Sequence, residues 1–245
     1  MMSTIKNKSI LIIGGSSGIG YGVADRALAE GAKVYIASSN ASRVQRSVNN
    51  LKKKYPGADI SGRTCDLLDP DVEKNLENVL KSVNFLDHIV FTAGDALTIV
   101  PLDSINLEAI HKAGHIRFVV PLLLAKLTPR YLKSGYQSSL TLTTGAGGEK
   151  PFPNWSLVAG YLTGLQGLTR NLALDLKPIR VNLVSPGVVD TPLHGPGGVS
   201  DEMKKYTALG KVGTPEEVAE AYLYFMKNTN VTGSCLSTNG GALLL

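Results

Sequence analysis

The sequence predicts a doubly wound α/β fold: one parallel sheet of about seven strands with helices on both faces. Three observations carry that prediction. Short apolar runs alternate with longer amphipathic ones along all 245 residues, the pattern of repeated βα units. The apolar runs are continuous rather than alternating, as strands covered on both sides require. Several of the 26 glycines cluster where a strand should turn into a helix, the end at which such sheets bind ligands.

The elements follow in order. Ser9–Ile13 is the first strand, and Gly20–Glu30 has helical spacing with Val23, Ala27 and Leu28 on one face. Lys33–Ala37 is the second strand and Ala41–Lys54 the second helix. Ile60–Cys65 is a strand, and Pro70–Lys81 a helix that turns Val72, Leu76, Val79 and Leu80 inward. His88–Thr92 is the fourth strand, and Leu107–Leu132 reads as one long helix. Ser139–Thr143, the helix Leu157–Leu176 and the strand Arg180–Val184 come next. Pro215–Met226 is the last helix and Ser234–Ser237 the last strand. Asp190–Gly210 is the longest stretch without periodicity and holds Pro192, Gly195, Pro196, Gly197 and Gly198. A loop that long in a compact domain is usually functional, so it is expected to form a substrate lid. With no repeat or linker, residues 1–245 read as a single domain.

Composition narrows the function. The net charge is +5, and Lys52, Lys53 and Lys54 form the single basic run. That run reads as a solvated helix end rather than a nucleic-acid site. Ile10–Ile13 is too short to span a bilayer, no signal-peptide layout opens the chain, and the two cysteines, Cys65 and Cys235, lie far apart. A cytoplasmic protein with reduced thiols and no membrane or nucleic-acid partner is expected. No His, Cys or carboxylate cluster has metal-ligand spacing, and there is no Gly-x-Ser-x-Gly elbow for hydrolase chemistry.

Gly14-Gly15-Ser16-Ser17-Gly18-Ile19-Gly20 lies directly after the first strand and opens the first helix. In that context Gly14, Gly18 and Gly20 permit a tight turn, and the amides around Ser16, Ser17 and Ile19 can approach a pyrophosphate at a helix N-terminus. The end of the second strand selects the cofactor, because a carboxylate there binds a ribose 2′-hydroxyl and repels a 2′-phosphate. Ala37-Ser38-Ser39-Asn40-Ala41-Ser42-Arg43 has no acid. Ser38, Ser39, Asn40 and Arg43 are therefore candidate 2′-phosphate contacts, which favours NADP(H) over NAD(H). Ser42 also suits the cap of the second helix.

These motifs together resemble the short-chain dehydrogenase/reductase family over nearly the whole chain, and so imply a Rossmann-type domain. Residues 14–20 match its glycine motif, with Ile13 where a threonine is usual. Asp66, followed by Leu67, matches the aspartate that hydrogen-bonds adenine. Thr92-Ala93-Gly94 matches the second half of Asn-Asn-Ala-Gly, which adds Ala93 and Gly94 to the expected cofactor contacts. Pro186, Gly187, Val189 and Thr191 match the stretch that holds the nicotinamide amide and pyrophosphate. Pro215–Ala219 and Asn239-Gly240-Gly241 match the C-terminal signature. The resemblance also implies a homodimer or homotetramer built through the two longest helices.

The catalytic tetrad of the family departs from its pattern here. Thr163–Ala173 fixes the register, which puts Val158 at the tyrosine, Leu162 at the lysine, Gly145 at the serine and His115 at the helical asparagine. In the family the tyrosine protonates the carbonyl oxygen while the lysine lowers its pKa, and such acid catalysis contributes roughly 10²–10⁴-fold. Valine and leucine can do neither. Candidate replacements are His115, an imidazole of the kind used in acid–base catalysis, Thr144, and Tyr161, one helical turn beyond Val158. Each also has a plain packing role. Glu149, Lys150 and Trp155 follow the fifth strand, and Asp190 and His194 lie on the expected lid. Solvation for Glu149 and Lys150, and packing for Trp155, are their simpler readings.

Two functions follow. One is an NADPH-dependent reductase of a small hydrophobic imine, iminium or activated carbonyl. Such a role is similar to that of tetrad-less short-chain reductases in fungal alkaloid metabolism, some of which also guide a cyclisation. The other is a catalytically inactive NADP(H)-binding protein acting as a partner or sensor.

Overall fold

The computed structural model describes residues 4–83, 85–195 and 197–245. The chain runs β1 (Ser9–Ile13), α1 (Gly18–Ala29), β2 (Lys33–Ser38), α2 (Ala41–Lys54), β3 (Ile60–Thr64), α3 (Val72–Lys81) and β4 (His88–Phe91). It continues as α4 (Leu107–Gly114), α5 (Val120–Tyr131), β5 (Ser139–Thr143), α6 (Ser156–Asp175), β6 (Arg180–Pro186), α7 (Pro215–Lys227) and β7 (Cys235–Thr238). All seven strands pair in parallel, in the order β3-β2-β1-β4-β5-β6-β7. This is the doubly wound sheet that the sequence predicts.

The strand order reverses at β1. Ile10–Ile13 pairs with Val34–Ala37 on one side and His88–Phe91 on the other. The chain builds outward to β3 and then crosses back to β4, so the loops leaving β1 and β4 diverge and leave a crevice beyond their C-terminal ends. Alternate residues of β1 serve the two faces, as the strand period of two demands. Ile10 and Ile12 join a core with Val23, Val34, Ile36, Val218 and Tyr222, under α1, α2 and α7. Leu11 and Ile13 join the other with Leu76, Phe91, Leu124 and Leu165, under α3, α5 and α6.

Helix starts follow local chemistry. Thr214 and Glu217 close a reciprocal capping box on α7, with Pro215 in the first turn. A side chain at Gly22 would come within 2.7 Å of the Pro215 carbonyl, so glycine lets α1 lie close on α7. At the far end of α7, the buried Arg180 guanidinium donates to the carbonyls of Phe225, Met226, Asn228 and Val231. Burial lowers its pKa to about 10.

Three sequence expectations need correction. Leu107–Leu132 is not one α-helix, because a π turn over His115–Val119 separates α4 from α5. Asn40, not Ser42, caps α2: its Oδ1 accepts from the Arg43 amide at 2.8 Å, and Ser42 Oγ donates to that same oxygen. α1 begins at Gly18, inside the glycine motif rather than after it. The expected lid holds two short 3₁₀ turns, Pro192–His194 and Asp201–Tyr206, and a parallel bridge from Val189 to Gly213 joins its ends. Pro196 lies outside the described residues. Lys52, Lys53 and Lys54 occupy the last turn of α2, where cations complement the helix dipole, and Lys54 pairs with Asp25. No helix among the described residues is long and apolar enough to cross a membrane.

Candidate active site

The crevice beyond β1 and β4 is a groove of about 360 Å³. β1 delivers Ile13 to its floor. Gly14 then turns at φ +94°, where a side chain would lie 2.5 Å from the Ala93 amide nitrogen. Only glycine fits so near the β4 loop. Gly20, one turn into α1, is pressed so close to the Gly14 carbonyl that a Cβ would stand 2.4 Å from it. Ser17, at the N-cap of α1, makes no side-chain cap hydrogen bond, and the first turn carries no acid. The opening amides of α1 are therefore left for an anion in the groove.

Next to this cradle stands the end of β2. Ser38, Ser39 and Arg43 line the groove. Arg43 donates from Nε to Ser16 Oγ at 3.1 Å and from Nη2 to Ser38 Oγ at 3.4 Å. Ser16 is buried, so its contact is with the arginine and not with the groove. Asn40 is likewise outside the groove lining, its side-chain oxygen occupied in capping α2. Beyond β3, Cys65, Asp66, Leu67 and Leu68 form the next wall. Asp66 Oδ1 accepts from the Leu68 amide at 3.0 Å. Burial, assisted by Asp66, pushes the Cys65 thiol up to about 11, so it is not a thiolate at neutral pH.

The far end is made by Thr92, Ala93, Gly94, Asp95, Ile116, Thr191, Pro192 and Leu193. Of the expected contacts, the structure brings together Gly14, Ser17, Gly18, Ile19, Ser38, Ser39, Arg43, Asp66, Leu67, Ala93, Gly94 and Thr191. Pro186, Gly187 and Val189 are not among the residues that line the groove. A Cβ at Gly187 would meet Asn239 Cα at 2.8 Å, so that glycine serves the packing of β6 on the C-terminal signature. Gly20 has a similar internal role.

The three side chains expected to replace the tetrad are all engaged elsewhere. Thr144 Oγ1 donates to the Leu162 carbonyl at 2.7 Å. His115 Nε2 is 2.7 Å from the Leu67 carbonyl, which fixes the proton on that nitrogen. Tyr161 points away: its hydroxyl donates to the Ile110 carbonyl at 3.0 Å, and its ring lies against Gly114 and Phe118. It lines a separate apolar hollow between α4, the π turn and α6. Val158 and Leu162 are buried rather than lining either hollow. Gly145 is different: its backbone is extended, and a Cβ there would meet nothing nearer than 3.8 Å. Glu149 and Lys150 are not merely solvated. Glu149 accepts from Ser185 Oγ at 3.0 Å, and Lys150 Nζ donates to the Ala242 carbonyl at 2.9 Å. Trp155 packs on Phe152 and Gly147, and His194 Nε2 donates to the Val189 carbonyl at 3.0 Å.

The sequence reading missed Asp95 and Arg117. Asp95 lines the groove, and its carboxylate is paired with the buried Arg117 guanidinium. A signal existed: Arg117 is a lone cation in the apolar run Ile116–Val120, and a buried charge requires a partner. Among the described residues no group of His, Cys, Asp and Glu could hold a metal ion.

The profile described as an SDR-like Rossmann domain matches residues 2–245. The chain belongs to the short-chain dehydrogenase/reductase family. Among its relatives, the short-chain dehydrogenase/reductase malC of Malbranchea aurantiaca is 45% identical, covering 98% of this chain and 96% of the relative. ATR9 of Stachybotrys chlorohalonatus, another member, is 42% identical over 99% of this chain and all of the relative. The solved structure of the MalC reductase/Diels-Alderase superposes with a TM-score of 0.93 at 44% identity, covering 98% of both chains. A Burkholderia cenocepacia short-chain dehydrogenase in complex with NADP superposes at 0.85 with 27% identity, covering 98% of this chain and 99% of that one. The protein is thus an oxidoreductase of the short-chain type, and its SDR-like Rossmann fold implies a nicotinamide cofactor. The uncapped α1 amides and the glycine contacts at Ala93 suit that group.

Proposed function

We propose that this short-chain oxidoreductase is an NADPH-dependent reductase whose substrate needs no proton from a tyrosine. The observation that carries the reading is the set of engaged side chains at the tetrad end. Thr144, His115 and Tyr161 each hold a main-chain carbonyl, and Val158 and Leu162 have no proton to give. An iminium carbon suits such a site. It accepts hydride while the C=N pair moves onto nitrogen and neutralises it, with no proton required. An imine arriving protonated meets the same condition, and a strongly activated carbonyl would form an alkoxide stable enough to take its proton from water.

The cofactor form rests on Arg43. Its guanidinium lies between Ser16 and Ser38 at a strand end without acids, which supports a 2′-phosphate. NADPH would supply the hydride. Gly14 and the α1 amides would hold its pyrophosphate, and Asp66 and Leu67 would lie beside its adenine. Leu193, exposed in the groove wall, and Met203 and Tyr206, exposed further along the same loop, support a small hydrophobic substrate under a lid over about 190–210. The MalC reductase/Diels-Alderase supports a place in secondary metabolism, with a cyclisation coupled to the reduction. Purified protein should consume NADPH with cyclic iminium ions or activated carbonyls faster than with simple ketones. NADPH binding without turnover on any of them would favour the binding-only alternative and overturn this reading.

The apolar hollow bordered by Ile105, Ile110, Phe118, Leu157 and Tyr161 supports a homodimer or homotetramer through this face. Light scattering should give a multiple of 26.0 kDa, and Leu157→Arg should shift it to monomer. A monomeric wild type would refute the assembly. Both cysteines are unpaired, which supports a reducing, cytoplasmic setting.

A further inference from the structure

The helix that borders the groove does not stay α-helical as it passes. Over His115–Val119 it opens into one π turn, in which the Val120 amide donates to the His115 carbonyl five residues back. Such turns are rare and occur mostly at functional sites inside α-helices. Here the first three side chains of the turn all serve one groove, and each holds a different part of it. His115 donates to the Leu67 carbonyl on the adenine side. Ile116 is itself part of the wall. Arg117, only 9% exposed, donates through one terminal nitrogen to the Asp95 carboxylate and through the other to the Asp95 main-chain carbonyl.

Residues two apart on a helical turn point to nearly opposite sides, and the wider turn keeps them so. His115 and Arg117 therefore diverge on either side of Ile116 and reach two different loops of the groove. We infer that the π turn is a two-armed clamp. His115 sets the adenine-side loop through Leu67, and Arg117 sets the nicotinamide-side loop through Asp95. The distance between the two arms fixes the span over which the dinucleotide lies. Both are positioning residues and act through the residues that they hold. Arg117 grips side chain and backbone of one residue, which takes away that residue's freedom to turn. The buried guanidinium has no solvent to fall back on if Asp95 moves. The inference rests on the NADPH reading above.

The test uses two ligands on the whole protein: adenosine 2′,5′-bisphosphate, which reaches the adenine side only, and NADPH, which spans both. Calorimetric titration of His115→Ala should weaken both ligands equally, by roughly 5- to 10-fold, for one lost hydrogen bond. His115→Gln, whose amide can still donate to the Leu67 carbonyl, should recover most of it. Arg117→Met should leave the bisphosphate within about twofold and weaken NADPH by roughly 10- to 100-fold, since a charge-assisted contact is lost on one side only. Should that variant not fold, Arg117→Lys, which keeps the charge but not the fork, should give the same selectivity at smaller size. Equal losses of both ligands in the Arg117 variants, or an unchanged bisphosphate affinity in folded His115→Ala, would overturn the clamp. A wild type that binds neither ligand would instead refute the cofactor reading, and the clamp with it.

Discussion

Arg43→Ala is the most direct probe of how this protein chooses its cofactor. In the structure the guanidinium uses Nε on Ser16 and Nη2, at a long 3.4 Å, on Ser38. Of its five N–H donors, most remain for a phosphate beside Ser38 and Ser39. A hydrogen bond to a charged partner is worth about 1.5–3 kcal/mol. The side chain is half-buried, so screening by solvent and salt holds the net effect toward the lower end. The dissociation constant for NADPH should therefore rise roughly 10- to 30-fold. NADH has no phosphate to lose, and its affinity should move by less than about threefold on the same scale. Nucleotide fluorescence, titrated at low and high salt, reads both values from one preparation. The wild-type preference should also shrink as salt is added. Parallel losses for the two cofactors, or a wild type that prefers NADH, would refute the assignment of this corner to a 2′-phosphate.

Two further perturbations test the frame around the groove. His88, buried on β4 with Nδ1 2.9 Å from Ser139 Oγ, has its pKa lowered to about 3, first by burial and then by Arg180. The unfolded chain takes up this proton below about pH 6.5 while the folded one does not. Stability from this group is thus complete above that pH and is lost as pH falls toward 3, by up to about 1.4 kcal/mol per unit. Urea unfolding at pH 7 and pH 5 should show a drop about 2 kcal/mol smaller in His88→Gln than in the wild type, and equal drops would contradict it. Among the glycines, Gly145→Ser should leave the melting temperature nearly unchanged, because its Cβ meets nothing within 3.8 Å. Gly20→Ala drives a methyl to 2.4 Å from the Gly14 carbonyl and should cost about 1–3 kcal/mol together with NADPH binding. Calorimetric melting that ranks the two the other way would show that the close approach at Gly14 is not required.

Much of this protein was determined locally and could be read in one dimension. Burial on both faces of a sheet leaves continuous apolar strands, and helices between them keep a 3.6-residue period. The order of elements therefore follows from pattern alone. The glycines of residues 14–20 mark the cradle because a tight turn and a near backbone leave no space for Cβ. The absence of acids after β2 is likewise a chemical fact about five or six neighbouring residues.

What the sequence did not determine depends on partners distant along the chain or on small angles. Asp95 and Arg117 are 22 residues apart, and only the return of the helix past β4 makes them a pair. The π turn leaves no mark in the apolar pattern, because one residue of extra width barely alters which faces are buried. Tyr161 stands three residues after Val158, about 300° around a helix. The remaining 60° is enough to separate it from buried Val158 and aim its hydroxyl at the Ile110 carbonyl. Asn40 rather than Ser42 caps α2, because the oxygen that reaches the free amides depends on where β2 releases the chain. Tertiary packing decided which polar groups near the groove are free to act, and it did so by giving Thr144, His115 and Tyr161 carbonyl partners that no local pattern encodes.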